Sequence, residues 1–227
     1  MARLSRLVLP GCGHYVIQRG HDGRAVFADD EDRAVFVAAL REAAAAQQVV
    51  VHAYALPDDE VQLLVTPPTA EALSRMMQSL GRRYVGAYRL RHGGRGTLWD
   101  GRFRCALVEP GAWQLAALRL VDAAAPLSSA GHRLGGRDPL VTDPPEFWQL
   151  GNTPFEREAA YRRLLADGLA PAQAAALRAA ALGGWAAGDA VFVARLAEQT
   201  ARPLRPRPRG RPARERQVAA TGLLPRR

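Results

Sequence analysis

The chain has 227 residues, 31 of them basic and 22 acidic, for a formal net charge of +9. That length can bury a real core and suits one domain with an appendage, or two small ones. Cys12 and Cys105 are too few and too far apart for a disulfide framework or a cysteine zinc site, and no stretch approaches the ~20 apolar residues of a membrane span.

Every basic residue is arginine, and the arginines are unevenly placed. Residues 75–104 hold eight against Asp100 alone, and residues 202–227 hold nine against Glu215. Two basic zones in an otherwise near-neutral chain point to a polyanion such as nucleic acid, against the plainer reading of a solvated tail and helix face. The apolar run at the start is broken by Pro10 and is too short for a secretory signal, so a cytoplasmic location is expected.

In chain order, His14 to Arg19 alternates as a first strand, with Tyr15 and Ile17 on one face and His14, Val16 and Gln18 on the other. Asp29 to Asp32 give an acidic start to a helix reaching about Gln48, where carboxylates meet free amides and the positive end of the dipole. Val49 to Leu56 and Val61 to Val65 read as a hairpin joined by Pro57, Asp58 and Asp59. On the second run Glu60, Gln62 and Leu64 share one face, so two polar groups sit side by side on an otherwise apolar strand.

Thr69 to about Arg91 is amphipathic, with Leu73, Met76, Met77, Leu80, Tyr84 and Tyr88 as a core stripe and Arg75, Arg82 and Arg89 in a band on another face. A glycine-rich turn, a strand from Arg104 to Val108 and a short helix from Trp113 to Asp122 follow. This order predicts an α+β, ferredoxin-like antiparallel sheet with helices packed on one face. Residues 126–201 read as a loop and helical extension, with Ala-rich helices around Pro154 to Asp167, Pro171 to Leu182 and Asp189 to Thr200 that pack on the main domain. Residues 202–227 open on RPLRPRPRGRP, a run that alternates Arg with Pro, and are expected to be disordered or extended.

The strand carrying Glu60 and Gln62 resembles the site strand of the single-tyrosine HUH transposases. The segments at 7–20 (LVLPGCGHYVIQRG), 27–32, 52–56, 73–91 and 96–104 (GTLWDGRFR) are similar, in order, to those of their REP-associated branch. The resemblance reaches about Asp122 and makes residues 1–125 a transposase-like DNA-binding domain. It implies a metal held by two histidines, a tyrosine that forms a phosphotyrosine link, and a polar residue one helical turn later. Those positions here are Glu60 and Gln62, Leu120, and Ala124. Leucine has no nucleophilic atom, and two oxygen-bearing side chains in a wet cleft make a weak magnesium site. The resemblance therefore implies a pseudoenzyme of DNA transposition: cleavage and strand transfer lost, binding to hairpin or single-stranded DNA kept.

For binding, Arg75, Arg82, Arg83, Arg89, Arg102 and Arg104 offer charge to the backbone, and Trp99 and Phe103 offer faces to unstacked bases. In the tail Arg207, Arg209 and Arg211 add charge, and RGRP at 209–212 is similar to an AT-hook core. His14 and His52 lie in strands and read as structural, while His21, His92 and His132 fall in turns. No cofactor is expected; Mg2+ or Mn2+ enters only if activity is retained, with Glu60 and Gln62 as ligands and Tyr84, Tyr88 or water as nucleophile. RNA binding by the same fold is a third reading, since charge and stacking do not select deoxyribose. No membrane partner is expected, a homodimer stays open, and DNA binding would place the protein at the nucleoid.

Overall fold

The computed structural model describes residues 6–200 and 202–206. The strands are β1 (His14–Arg19), β2 (Val50–Ala55), β3 (Glu60–Thr66), β4 (Arg104–Val108) and the two-residue β5 (Ala186–Ala187). The helices are α1 (Asp30–Ala46), α2 (Ala72–His92), α3 (Ala112–Asp122), α4 (Pro145–Trp148), α5 (Pro154–Asp167), α6 (Pro171–Gly183) and α7 (Ala190–Gln199). The sheet order is β2-β3-β1-β4-β5, with β1 antiparallel to β3 and β4, β2 antiparallel to β3, and β5 parallel to β4. The fold is α+β, and its first four strands and two crossover helices have the ferredoxin-like connectivity.

Local chemistry sets the element ends. The Asp29 carboxylate accepts from the Asp32 amide at 2.9 Å and caps α1, whose first turn holds three acids. Gly93 ends α2 at φ 69°, and its amide donates to Arg89 O at 2.8 Å. Thr153 and Glu156 form a reciprocal capping box at α5, with Pro154 in the first turn.

The strand faces divide as the alternation predicts. Val16, Val61, Leu63 and Val65 pack beneath α1 and α2 with Phe36, Leu40, Leu73, Met76 and Tyr84. Tyr15, Ile17, Leu64, Ala106 and Val108 form the opposite face. That face is covered as well, which corrects the expectation of helices on one side only. Ala117, Leu118 and Val121 of α3, Leu177 and Ala181 of α6, Phe147 and Tyr161 close over it. An apolar sheet face has to be removed from water, and the short alanines of α6, with Ala53, Ala55 and Ala106 on the strands, let helix and sheet pack closely.

Both sheet edges are occupied. Along β2, Thr142 N donates to Val51 O at 2.9 Å, Leu56 N to Leu127 O at 3.1 Å, and Tyr54 N to Ser129 Oγ at 2.9 Å. Along β4 the edge is taken by β5, which the sequence reading missed because two alanines carry no strand periodicity. Ala186 N in turn donates to Leu204 O at 3.2 Å, and Leu204 is buried with Leu7, Leu107, Val193 and Leu196. Residues 202–206 are thus extended, as one of the two expected states, and Leu204 packs into this cluster. Among the described residues no helix is long and apolar enough to cross a membrane.

Candidate nucleic-acid interface

Two places hold the residues singled out by sequence: the covered sheet face around Glu60, and a groove on the α2 side. Glu60 is 7% exposed and Gln62 2%, so little of either side chain is open to solvent. Arg178 of α6 reaches Glu60 with both terminal nitrogens, NH1 to Oε1 at 2.9 Å and NH2 to Oε2 at 3.1 Å. Gln62 Nε2 donates to Glu60 Oε1 at 2.6 Å, and the buried Tyr15 hydroxyl donates to Gln62 Oε1 at 2.6 Å. Arg19 lies 3.5 Å from Glu60 Oε2.

Burial by itself would raise the Glu60 carboxyl, but the Arg178 hydrogen bonds and charge, the Gln62 amide and Arg19 outweigh it and hold the group below the usual carboxylate range. Hydrogen bonding to Glu60 raises the Arg178 guanidinium against its own desolvation. A divalent cation does not fit these residues: both carboxylate oxygens and the Gln62 carbonyl already accept hydrogen bonds, and the facing charge is a guanidinium. Arg178 and Tyr15 were missed from sequence, since nothing local marks a residue on α6 as the partner of one on β3.

Leu120 and Ala124 are half-buried and pack against the same apolar cluster. Tyr84, one alternative nucleophile, donates its hydroxyl to Val26 O at 2.5 Å in a fully buried site, and burial pushes that hydroxyl far above its ordinary value. Tyr88 packs on Tyr84 with ring centroids 6.0 Å apart. His14 accepts from Leu9 N and bonds Cys12 O, while His52 bonds Thr142 O and Thr66 Oγ1, so each histidine has its own structural partners. Among the described residues, metal-ligating atoms converge at Asp29, Asp32 and His92, where Arg91 donates to Asp29, Asp32 and Glu31. That cluster ties the start of α1 to the end of α2.

The second place is a groove of about 810 Å³ between α2 and residues 99–103, with Arg6 and Val8 alongside. Phe36, Met77, Leu80 and Trp99 give it an apolar floor, and Arg75, Arg82 and Arg102 line it. Among the described residues no hydrogen bond or ion pair engages the side chains of these three arginines. The remaining predicted side chains go elsewhere. Arg83 pairs with Glu42 on α1, and Arg104 points to the other sheet face and donates to Leu182 O at 3.3 Å. Arg89 donates to Gly96 O and joins Arg24 and Arg95 around an adjoining pocket of about 170 Å³. Phe103 is 7% exposed with the Arg6 guanidinium 3.7 Å over its ring, whereas Trp99 is partly exposed at the groove. Gln18 and Arg6 were not among the predicted binding residues, although the β1 alternation had placed Gln18 on this face. Arg207, Arg209, Arg211 and the RGRP run lie outside the described residues.

No family model matches the chain, and no curated protein matches it significantly. Among solved structures, a REP-associated tyrosine transposase bound to a REP hairpin is similar at a TM-score of 0.49 and 13% identity, covering 64% of this chain and 93% of that one. A protein of Deinococcus radiodurans R1 described as a candidate transposase is similar at a TM-score of 0.37 and 20% identity, covering 48% of this chain and 88% of that one. Neither overlap is close enough to assign chemistry.

Proposed function

We propose that this protein binds hairpin or single-stranded DNA through the groove between α2 and residues 99–103, and that its Glu60 face performs no metal-dependent strand transfer. The observation that carries the binding reading is the division of the arginines. Arg33, Arg83, Arg91, Arg133 and Arg178 are spent on acidic partners, whereas Arg75, Arg82 and Arg102 face the groove without one. Unpaired guanidinium groups around an apolar floor that includes an indole match what a single strand presents, phosphates outside and ring faces within. The sequence resemblance to REP-associated transposases favours DNA over RNA.

The loss of chemistry is supported by Leu120, which has no nucleophilic atom, and by Arg178, which holds the carboxylate that a cation would need. A polar pocket of about 360 Å³ beside Glu60, lined also by Asp22, Asp59 and Asp100, is where a retained metal activity would have to act. Purified full-length protein incubated with labelled DNA and RNA hairpins, with and without Mg2+ or Mn2+, tests both halves at once. Expected are a mobility shift favouring DNA and no cleaved or protein-linked strand. Tighter RNA binding, or a covalent adduct surviving denaturation, overturns the corresponding half.

A further inference from the structure

Gln18 sits on β1 at the groove and is 8% exposed. Its Nε2 donates to Gly101 O at 3.2 Å. A carbonyl only accepts, so this bond fixes the amide orientation and turns Oε1 away from Gly101. Oε1 has no partner among the described residues and keeps some contact with solvent, and Gln18 lines the groove. A side chain more than nine-tenths buried thus presents one fixed, unused acceptor at the groove, within a surface otherwise built of Phe36, Met77, Leu80 and Trp99.

The groove chemistry on either side of this acceptor is of two kinds. Arg75, Arg82 and Arg102 supply positive charge, and Trp99 supplies the ring face. Gly81 lies where α2 borders the groove, and a Cβ there would already stand 4.0 Å from the Trp99 indole nitrogen, so helix and indole edge are close and a planar group does not fit between them. We infer that one unstacked base enters this groove against Trp99 and that Gln18 Oε1 accepts a hydrogen bond from its exocyclic amino group. The groove then favours adenine and cytosine, which carry an amino donor at the 6 or 4 position, over thymine, which has a carbonyl acceptor at that position and keeps only its ring N3–H as a donor. This inference rests on the nucleic-acid reading above and adds a base preference to it.

The test uses the full chain and one hairpin stem carrying a six-nucleotide single-stranded extension of dA, dC, dT or deoxynebularine, the last a purine without the amino group. Affinities are measured at one fixed salt concentration for the wild type and for Gln18→Met, which keeps length and removes the acceptor. The wild type is expected to bind the dA and dC extensions about three- to tenfold tighter than dT, one net hydrogen bond. Deoxynebularine, which has no N–H donor on that edge, should bind no tighter than dT, and Gln18→Met should bind all four alike with an unchanged salt dependence. Equal wild-type affinities for dA and deoxynebularine overturn the inference, and that comparison needs no variant to fold. A preference surviving in Gln18→Met also overturns it. Failure to bind any of the four hairpins at low salt would instead remove the groove reading on which it stands.

Discussion

Arg178 grips both carboxylate oxygens of Glu60 across 118 residues of sequence. The pair sits where helix α6 closes over the sheet face, so it joins the extension to the first domain by charge as well as by apolar packing. Glu60 is buried and Arg178 is 34% exposed by side chain, which places the pair between surface and interior regimes.

Removing one partner leaves a buried carboxylate unpaired. Arg178→Met is expected to cost about 2–4 kcal/mol, below the full buried-pair range because the guanidinium is partly solvated. The double change Glu60→Gln with Arg178→Met should recover more than half of that. Denaturant midpoints of the three proteins measure it, and equal losses in single and double variants would show that the pair is not coupled. The Glu60 pKa is depressed by folding, so its contribution is present above the ordinary carboxylate pKa and fades as pH falls through the folded value.

Buried histidines predict a second acid effect. His14 is held neutral, its pKa lowered to about 4 by burial, which outweighs the hydrogen bond to Cys12 O. Its Nε2 accepts from Leu9 N at 3.3 Å, and protonation there would place a donor against a donor. The folded pKa is below the unfolded 6.5, so the stabilisation is complete above pH 6.5 and is lost as pH falls toward 4, by roughly 3 kcal/mol. His52 is shifted in the same direction, chiefly by burial. Thermal midpoints between pH 7 and 4 should fall more steeply for the wild type than for His14→Gln.

The groove arginines predict a change in salt dependence. Replacing Arg75, Arg82 and Arg102 together by Gln should lower the slope of log affinity against log salt by roughly 2, about 0.7 for each single-strand phosphate contact. Thermal stability should barely move, since no folding contact engages these side chains. The matched control is Arg162, Arg163 and Arg195, all exposed on other elements. Arg157 would be a poor control, being 9% exposed with its guanidinium 4.4 Å over the Trp148 ring. Equal slopes for the two triple variants would take α2 out of the binding surface.

A second buried network anchors the extension. Asp122, at the end of α3, accepts from Tyr161 at 2.6 Å, Ser129 at 2.6 Å and Arg133 at 2.9 Å, and Arg133 also donates to His52 O. Tyr161→Phe should cost about 1–3 kcal/mol, because the Asp122 oxygen loses a donor in a dry site. Arg133→Met should cost about 3–5 kcal/mol through the uncompensated Asp122 charge. Limited proteolysis should then cut first within residues 126–167, whereas cleavage beginning elsewhere would mean that the network does not hold this segment.

The sequence by itself determined the local geometry. Alternation placed Glu60, Gln62 and Leu64 on one strand face, a 3.6-residue period separated Tyr84 from Arg82, and the acidic run Asp29 to Asp32 marked where α1 begins. Those signals are written within a few residues of the backbone they shape. Only the tertiary structure decided that helices cover both sheet faces, that β5 and residues 127–142 close the two edges, and that Arg178 meets Glu60. It also sorted chemically identical arginines, committing Arg83 to Glu42 and Arg104 to Leu182 while leaving Arg75, Arg82 and Arg102 to the groove. Periodicity says which way a side chain leaves its own element. What it meets there depends on which distant segment must pack across that face to keep apolar surface from water, and no local pattern encodes that choice.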